Sequence, residues 1–235
     1  MKKINKLSIV IPVFNEVKTI EKIVDKVFKV DLGKIKKEII VVNDGSTDGT
    51  LNVLKELKKK YQIRVISYLK NRGKSSALRV GFKKVTGDIV TIQDGDLEYD
   101  PNDFVKMVKK MSEADVKVVY GSRRLNKTNV KYSGLSFYVG GMLLNYMVKI
   151  LYGGNITDEP TCYKMFESKF LKSIKLKSKR FEFCPEVTAK VLKQKIRIYE
   201  VPIFYHPRNV LQGKKIKLRD FFEAVWVLIK YRFVD

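Results

Sequence analysis

Short apolar runs alternate with amphipathic segments along the first hundred residues of the chain. Four of these runs have the length and the β-branched character of buried strands, and they cover residues 7–13, 38–42, 63–68 and 89–92. The segments between them carry apolar residues every three or four positions, as on one face of a helix, at 20–28, 51–57 and 77–85. Strands that alternate with helices in this way predict an α/β fold, with a mostly parallel twisted sheet and helices on both faces.

Two later segments are apolar in a different way. Residues 136–152 are apolar nearly all round, so they must be buried against either protein or lipid, and both alternatives stay open. Residues 217–233 predict a C-terminal amphipathic helix with basic residues at both ends, which could lie in a lipid interface or pack on the sheet. Neither segment offers about 20 uncharged apolar residues, so we expect no membrane span.

Composition narrows the class of protein. The 235 residues contain no Pro-, Gly- or Ser-rich linker, which predicts a single domain over residues 1–235. The net charge of +23 suits an anionic lipid surface or a phosphorylated substrate, and the absence of nucleic-acid motifs argues against nucleic acid as a partner. Cys162 and Cys184 lack metal-binding spacing, so we interpret them as reduced core thiols of a cytoplasmic protein.

Acidic residues follow the fourth predicted strand at the point where it ends. Asp94, Asp96 and Glu98 lie within five positions, and such hard oxygen donors could share one Mg²⁺ or Mn²⁺ with a diphosphate. A lone Asp-x-Asp is more often a polar turn. Here Glu16 and Asp44 also follow strands, and parallel strands bring their carboxyl ends to one edge of the sheet. The convergence favours a metal and nucleotide site at that edge.

Familiar nucleotide-binding motifs are missing from the chain. It contains neither G-x-G-x-x-G nor G-x-x-x-x-G-K-[ST], which argues against a dinucleotide oxidoreductase and against a P-loop enzyme. A nucleotide held through a metal by acidic loops remains.

Five motifs taken together resemble the GT-A glycosyltransferases of family 2: IPVFNE (11–16), VVNDGSTDGT (41–50), NRGK (71–74), DGD (94–96) and YGSR (120–123). Later stretches are similar to the dolichyl- and polyprenyl-phosphate mannose and glucose synthases of that family: DEPTCYKMF (158–166), FEF (181–183), PEV (185–187) and EVPIFY (200–205), with Arg208 and Lys214. The resemblance implies a Rossmann-like GT-A fold over nearly the whole chain. Some synthases of this branch carry transmembrane helices after the catalytic domain, and this chain resembles the compact, peripheral type.

The resemblance also implies roles for individual residues. The nucleotide base and ribose would be lined by Pro12, Phe14, Glu16, Val42 and Asp44. The metal and diphosphate would be held by Asp94, Gly95 and Asp96, with Glu98 as a third metal ligand. Phosphate charge would be met by Arg123, Arg208 and Lys214. Asp96 and Arg123 would be the catalytic residues. Two positions depart from the family pattern, because Glu98 replaces a common Gln and Phe14 replaces a common Tyr.

The implied function is an inverting transfer of a hexose to dolichyl or polyprenyl phosphate. We expect mannose from GDP-mannose, with glucose from UDP-glucose as the second donor. The enzyme would act peripherally on the cytoplasmic face of a membrane, with a membrane partner subunit left open. The alternative is a family 2 transferase that acts on a sugar or protein acceptor in cell-surface glycan synthesis. That acceptor would need a general base, for which Asp158 is the best candidate.

Overall fold

The computed structural model of the chain describes residues 1–129, 134–208 and 215–234. Within these residues the chain forms seven strands: β1 (Lys6–Val13), β2 (Lys36–Asp44), β3 (Ile63–Tyr68), β4 (Ile89–Ile92), β5 (Val118–Ser122), β6 (Lys164–Glu167) and β7 (Ile198–Pro202). The strands make one sheet in the order β3-β2-β1-β4-β6-β5-β7.

The sheet is parallel except at one strand. β1 pairs in parallel with β2 on one side and with β4 on the other, while β6 runs antiparallel to both β4 and β5. The prediction of a mostly parallel sheet is therefore confirmed. The chain leaves β1 toward β2 and β3, and later returns to the opposite side of β1 with β4. Such a reversal opens a crevice at the carboxyl ends of β1 and β4, where open α/β sheets bind ligands.

Helices cover both faces of the sheet, as expected. The described helices are α1 (Ile20–Lys29), α2 (Thr50–Lys60), α3 (Lys74–Lys84), α4 (Phe104–Met111), α5 (Leu135–Tyr152), α6 (Ser168–Ser173), α7 (Phe183–Lys193) and α8 (Leu218–Phe233). Apolar faces of α1, α2 and α4 form one core with the sheet, and those of α3, α5, α6, α7 and α8 form the other. Because the central strands are covered on both sides, β1 and β4 are nearly continuous apolar runs.

α5 and α8 pack against each other at the edge of the second layer. The Tyr152 hydroxyl donates a hydrogen bond of 2.5 Å to the Leu228 carbonyl, and the Phe221 ring lies over Gly140. Much of the apolar surface of both helices nevertheless faces outward, at Leu135, Val139, Met142, Leu143, Tyr146, Ile150, Leu218, Phe222, Trp226, Ile229 and Phe233. The alternative in which residues 136–152 are buried in the protein core is therefore wrong for most of the helix.

α5 is also longer than its sequence pattern suggested. It has 18 residues with a mean hydropathy of 1.2, and 17% of that stretch is buried. By length and composition alone, it could cross a membrane.

Candidate active site

A cavity of about 840 Å³ opens at the carboxyl ends of β1, β2 and β4. Acidic side chains from the loops after these strands reach it, because the three strands are neighbours in the sheet. The cavity continues past these loops to an apolar wall between α5 and α8. One end of the cavity is therefore charged and the other end is apolar.

Lys74, the first residue of α3, pairs with Asp94 at the charged end of the cavity. The ammonium lies 2.5 Å from the Asp94 carboxylate and also donates a hydrogen bond of 3.0 Å to the Cys162 sulfur. Burial lowers the pKa of Lys74, but Asp94 and Cys162 together raise it by more, and the net pKa lies well above its ordinary value. Lys74 is therefore a fixed positive charge beside the first aspartate.

Arg208 gathers the other carboxylates of the site. Its guanidinium lies 2.6 Å from Asp96, 3.4 Å from Glu98 and 3.4 Å from Glu16. Burial raises the pKa of Asp96 to about 7, and the charges of Asp94 and Glu98 raise it further than Arg208 lowers it. The site thus holds more negative charge than its cations offset, which is the electrostatic setting of a cation-binding site.

Glu98 positions Arg208 as well as pairing with it. The Glu98 carboxylate accepts hydrogen bonds from the Tyr205 hydroxyl at 3.0 Å and from the Arg208 backbone N–H at 3.0 Å. The Glu98 carbonyl accepts a third, from the His206 N–H at 2.8 Å. A neutral Gln, usual at this position in the resembling family, would offer only one acceptor oxygen and no charge. The departure at Glu98 therefore has a local role, which is to dock the segment that carries Arg208.

The loop after β1 contributes Glu16 and Phe14. Glu16 is nearly buried, and the Lys215 ammonium lies 2.7 Å from its carboxylate. The same ammonium donates to the Phe14 carbonyl and lies 5.8 Å from the centre of the Phe14 ring. Residues near the start of α8 are thereby tied across the cavity to the first loop.

Asp44 ends β2 and holds the turn that leads into α3. Its two carboxylate oxygens accept hydrogen bonds from the backbone N–H groups of Arg72 at 2.8 Å and Gly73 at 2.7 Å. Gly73 has a φ of +93°, and an added Cβ would lie 2.4 Å from the Lys179 carbonyl oxygen. Only glycine fits there. The turn then delivers Lys74 to the cavity.

Arg123 and Asp158 form a second ion pair in the wall of the cavity. Arg123 donates two side-chain hydrogen bonds to the carboxylate, at 2.7 and 2.6 Å, and its backbone N–H donates a third at 2.8 Å. The guanidinium also lies over the Tyr205 ring, 5.0 Å from its centre. Glu200 fixes the loop of Asp158 by accepting the Asp158 backbone N–H at 3.1 Å. Asp158 is therefore occupied and oriented by its partner.

Most of this chain matches a known protein family. Residues 8–175 match the sequence model of the family that is described as glycosyl transferase family 2. The chain belongs to glycosyl transferase family 2. In structure it is similar to the glucosyl-3-phosphoglycerate synthase of Mycobacterium tuberculosis in complex with Mn²⁺, UDP and glucosyl-3-phosphoglycerate, with a TM-score of 0.74 over 97% of this chain and 78% of that one. At 18% identity, this likeness shows the GT-A fold.

Three relatives are 26–30% identical to the chain over the aligned residues. It is 30% identical to the UDP-N-acetylglucosamine–dolichyl-phosphate N-acetylglucosaminyltransferase of Methanococcus voltae, over 89% of this chain and 90% of the relative. It is 27% identical to the dodecaprenyl-phosphate galacturonate synthase of Rhizobium johnstonii, over 86% of this chain. It is 26% identical to the dolichol-phosphate mannosyltransferase of Pyrococcus furiosus, over 96% of this chain. The matched regions span 60% and 64% of these last two relatives.

Most of the residues predicted for this family 2 site line the cavity: Pro12, Phe14, Glu16, Asp44, Asp94, Gly95, Asp96, Glu98, Arg123 and Arg208. Val42 does not, because its side chain is buried in the core between the sheet and the second helix layer. Lys214 lies outside the described residues. The structure adds Lys74, Lys215 and Cys162, which the sequence reasoning gave no role although Lys74 belongs to one of the family motifs.

The carboxylate oxygens of the site suit a divalent cation, but they already have hydrogen-bond or ion-pair partners in this structure. Asp94 and Asp96 are the hard, partly buried oxygen donors that Mg²⁺ or Mn²⁺ prefers, and the pKa of Asp96 is raised first by burial and then by the charges of Asp94 and Glu98. Glu98 is already engaged by Tyr205 and Arg208. Within the described ranges, no three His, Cys, Asp or Glu side chains form a group arranged to hold a metal. The prediction of Glu98 as a third ligand stays a prediction.

Proposed function

We propose that this family 2 enzyme transfers a hexose, with inversion, from a nucleotide-sugar to dolichyl or polyprenyl phosphate at a membrane surface. The observation that carries the proposal is the single cavity with a charged end at Asp94, Asp96 and Arg208 and an apolar end between α5 and α8. A lipid phosphate has both chemistries in one molecule. The relatives from Methanococcus, Rhizobium and Pyrococcus, whose names specify dolichyl, dolichol or dodecaprenyl phosphate, support this assignment.

The donor would bind at the charged end. Mg²⁺ or Mn²⁺ held by Asp94 and Asp96 would offset the negative charge of the leaving diphosphate. Lys74 and Arg208 pair with those same carboxylates in this structure, and both side chains are long enough to turn toward phosphate oxygens. Glu98 would hold the Arg208 backbone in place while the Arg208 side chain turns toward the phosphate. Pro12, Phe14, Glu16 and Asp44 would then surround the base and ribose.

The acceptor phosphate would be oriented by Arg123. Asp158 uses two of the five N–H groups of its guanidinium, so the others can meet a phosphate in the cavity. A phosphate oxygen is already a nucleophile and needs no base to deprotonate it. The soluble-acceptor alternative does need a base, and the Asp158 carboxylate is already engaged by three hydrogen bonds from Arg123. The geometry therefore favours the lipid phosphate over a sugar or protein hydroxyl.

The outward faces of α5 and α8 would place the cavity mouth on the membrane. Phe222 and Trp226 project from α8 beside the exposed apolar residues of α5, and Lys149, Lys217, Arg219, Lys230 and Arg232 lie on the same two helices. Each cation near an anionic leaflet contributes on the order of 1 kcal/mol. We infer peripheral attachment to the cytoplasmic leaflet, where nucleotide-sugars are available, and the need for a membrane partner subunit stays open.

The test is transfer of labelled sugar into the organic phase in the presence of polyprenyl phosphate and Mn²⁺. Asp96→Asn should abolish transfer, because it removes a charge from the diphosphate site while keeping the shape of the side chain. Glu56→Gln is the matched control, since Glu56 is an exposed carboxylate on α2 far from the cavity. Transfer that survives in Asp96→Asn at the level of Glu56→Gln would contradict the proposed role of Asp96.

The donor is best identified by thermal shift. The expected donor is GDP-mannose, followed by UDP-glucose, and the Methanococcus relative makes UDP-N-acetylglucosamine a necessary third member of the panel. A nucleotide present at one hundred times its Kd stabilises the fold by about 2.7 kcal/mol. Stabilisation by UDP but not by GDP would contradict the preference for mannose.

A further inference from the structure

The two cysteines of the chain meet in the wall of the active-site cavity. Cys162 lies in the loop before β6, and Cys184 is in the first turn of α7. The Cys184 thiol donates a hydrogen bond of 3.4 Å to the carbonyl oxygen of Thr161, the residue that precedes Cys162, and the two cysteine side chains are close enough to shift each other's pKa. The two sulfurs are therefore neighbours in the fold, although they are 22 residues apart in the sequence.

This thiol pair is connected to the charged end of the cavity through one side chain. The Lys74 ammonium bridges the Cys162 sulfur at 3.0 Å and the Asp94 carboxylate at 2.5 Å. Any change in the chemistry of Cys162 therefore alters the hydrogen bonding of a cation that touches the predicted metal and diphosphate site.

The two cysteines differ in exposure but share one cavity. Cys162 is partly exposed, Cys184 is nearly buried, and both line the open cavity. The hydrogen bond from Cys162 lowers the pKa of Cys184, which favours the nucleophilic thiolate form.

We propose that Cys162 and Cys184 form a peroxide-sensitive dithiol whose oxidation to a disulfide alters the active site. Hydrogen peroxide oxidises one thiolate to a sulfenic acid and is itself reduced to water, or to hydroxide that takes up a proton. The second thiol then attacks the sulfenic sulfur, the S–S bond forms, and a second water leaves. In sum, two thiols and one peroxide give one disulfide and two waters.

Disulfide formation should weaken the Lys74 contact. In the disulfide, the Cys162 sulfur is bonded to Cys184, so we expect it to leave its present position 3.0 Å from the Lys74 ammonium. The S–S bond also draws Cys162 toward α7. Lys74 is then left to Asp94 alone, and we expect its stronger hold on that carboxylate to reduce sugar transfer. This last consequence rests on the proposed function, whereas formation of the disulfide does not.

The primary test measures thiols and mass on the folded wild-type chain. Treatment with one equivalent of hydrogen peroxide should remove both titratable thiols and lower the mass of the monomer by about 2 Da, and dithiothreitol should restore both. Cys162→Ser and Cys184→Ser each retain one thiol and should show no such loss. Two persistent thiols, stable addition of oxygen or a disulfide between two chains would overturn the proposal.

The second test separates the chemistry from its consequence. Sugar transfer by wild type should fall at least several-fold on oxidation and recover on reduction, in step with the thiol count, while peroxide leaves transfer by Cys184→Ser unchanged relative to that variant without peroxide. A disulfide that forms without changing transfer by an active enzyme would overturn the coupling to Lys74. If the chain transfers no sugar to any acceptor, the proposed function fails, and the thiol count still decides whether the dithiol is an oxidation site.

Discussion

Removing either partner of the Arg123–Asp158 pair should lower the stability of the fold. Asp158 is 1% exposed and Arg123 is 19% exposed, so each charge depends on the other for its solvation. Losing one partner of such a buried pair costs about 3–5 kcal/mol, because the remaining charge is left without a counter-ion. In a chain of this size, that corresponds to a fall in Tm of roughly 6–20 °C.

The two single variants should differ in a defined direction. Arg123→Met strands a carboxylate that is almost fully buried, so its cost should fall near the upper end of the range. Asp158→Asn strands a guanidinium that still reaches water, so its cost should fall near the lower end. The double variant should cost less than the sum of the two, since neither charge is then left alone.

Urea unfolding followed by circular dichroism measures these differences, with Glu56→Gln as the surface control, for which we expect a change of about 0.5 kcal/mol or less. The informative case is Asp158→Asn. If it unfolds like wild type yet loses sugar transfer, Asp158 acts as a base and the soluble-acceptor alternative gains support. If the destabilisation in the double variant equals the sum of the two single variants, the ion-pair reasoning is also refuted.

Two further predictions concern the membrane face and the buried acid Glu159. Replacing Phe222 and Trp226 by Ser should reduce co-sedimentation with anionic liposomes and remove the binding that resists about 1 M salt, where the Debye length is about 3 Å. Val105→Ser, on the opposite helix layer, should leave liposome binding unchanged. Equal loss of binding in both proteins would contradict the assigned membrane face. Burial raises the pKa of Glu159 to about 8, so the folded chain keeps a proton that the unfolded chain releases above about pH 4.3. The free energy of unfolding should therefore fall as the pH rises toward 8, by up to about 1.4 kcal/mol per pH unit. Glu159→Gln should flatten that slope in urea titrations at pH 6 and 8, and parallel profiles for both proteins would contradict it.

The first half of the fold was predictable because its pattern is local. Strands such as β1 and β4 are covered on both faces, so each is a continuous apolar run between amphipathic helices. The direction of β6 was not predictable, since it depends on the path of the chain and not on its four residues. α7 was missed for a different reason: its inward face includes Glu186 and Lys190, which look like surface residues in sequence and are buried as a pair 2.7 Å apart.

The site shows the same division between local and distant information. The acidic residues after β4 were evident because they are adjacent in sequence and follow a buried strand. The pairing of Asp96 with Arg208 joins residues 112 positions apart, and no periodicity reports such a contact. Likewise, an all-round apolar pattern could not say which side of α5 is covered, because only Gly141, Leu144 and Val148 are buried there.

The most direct test of the central claim is a competition between acceptors in one reaction. Wild-type enzyme, Mn²⁺ and the labelled nucleotide-sugar that gives the largest thermal shift are mixed with liposomes containing polyprenyl phosphate, together with soluble glycans in excess. Liposomes with the matching polyprenol, which lacks the phosphate, are the control. Label should enter the organic phase only with polyprenyl phosphate and should be lost in Asp96→Asn. Label that reaches the soluble glycans while the lipid phosphate stays unlabelled would contradict the account.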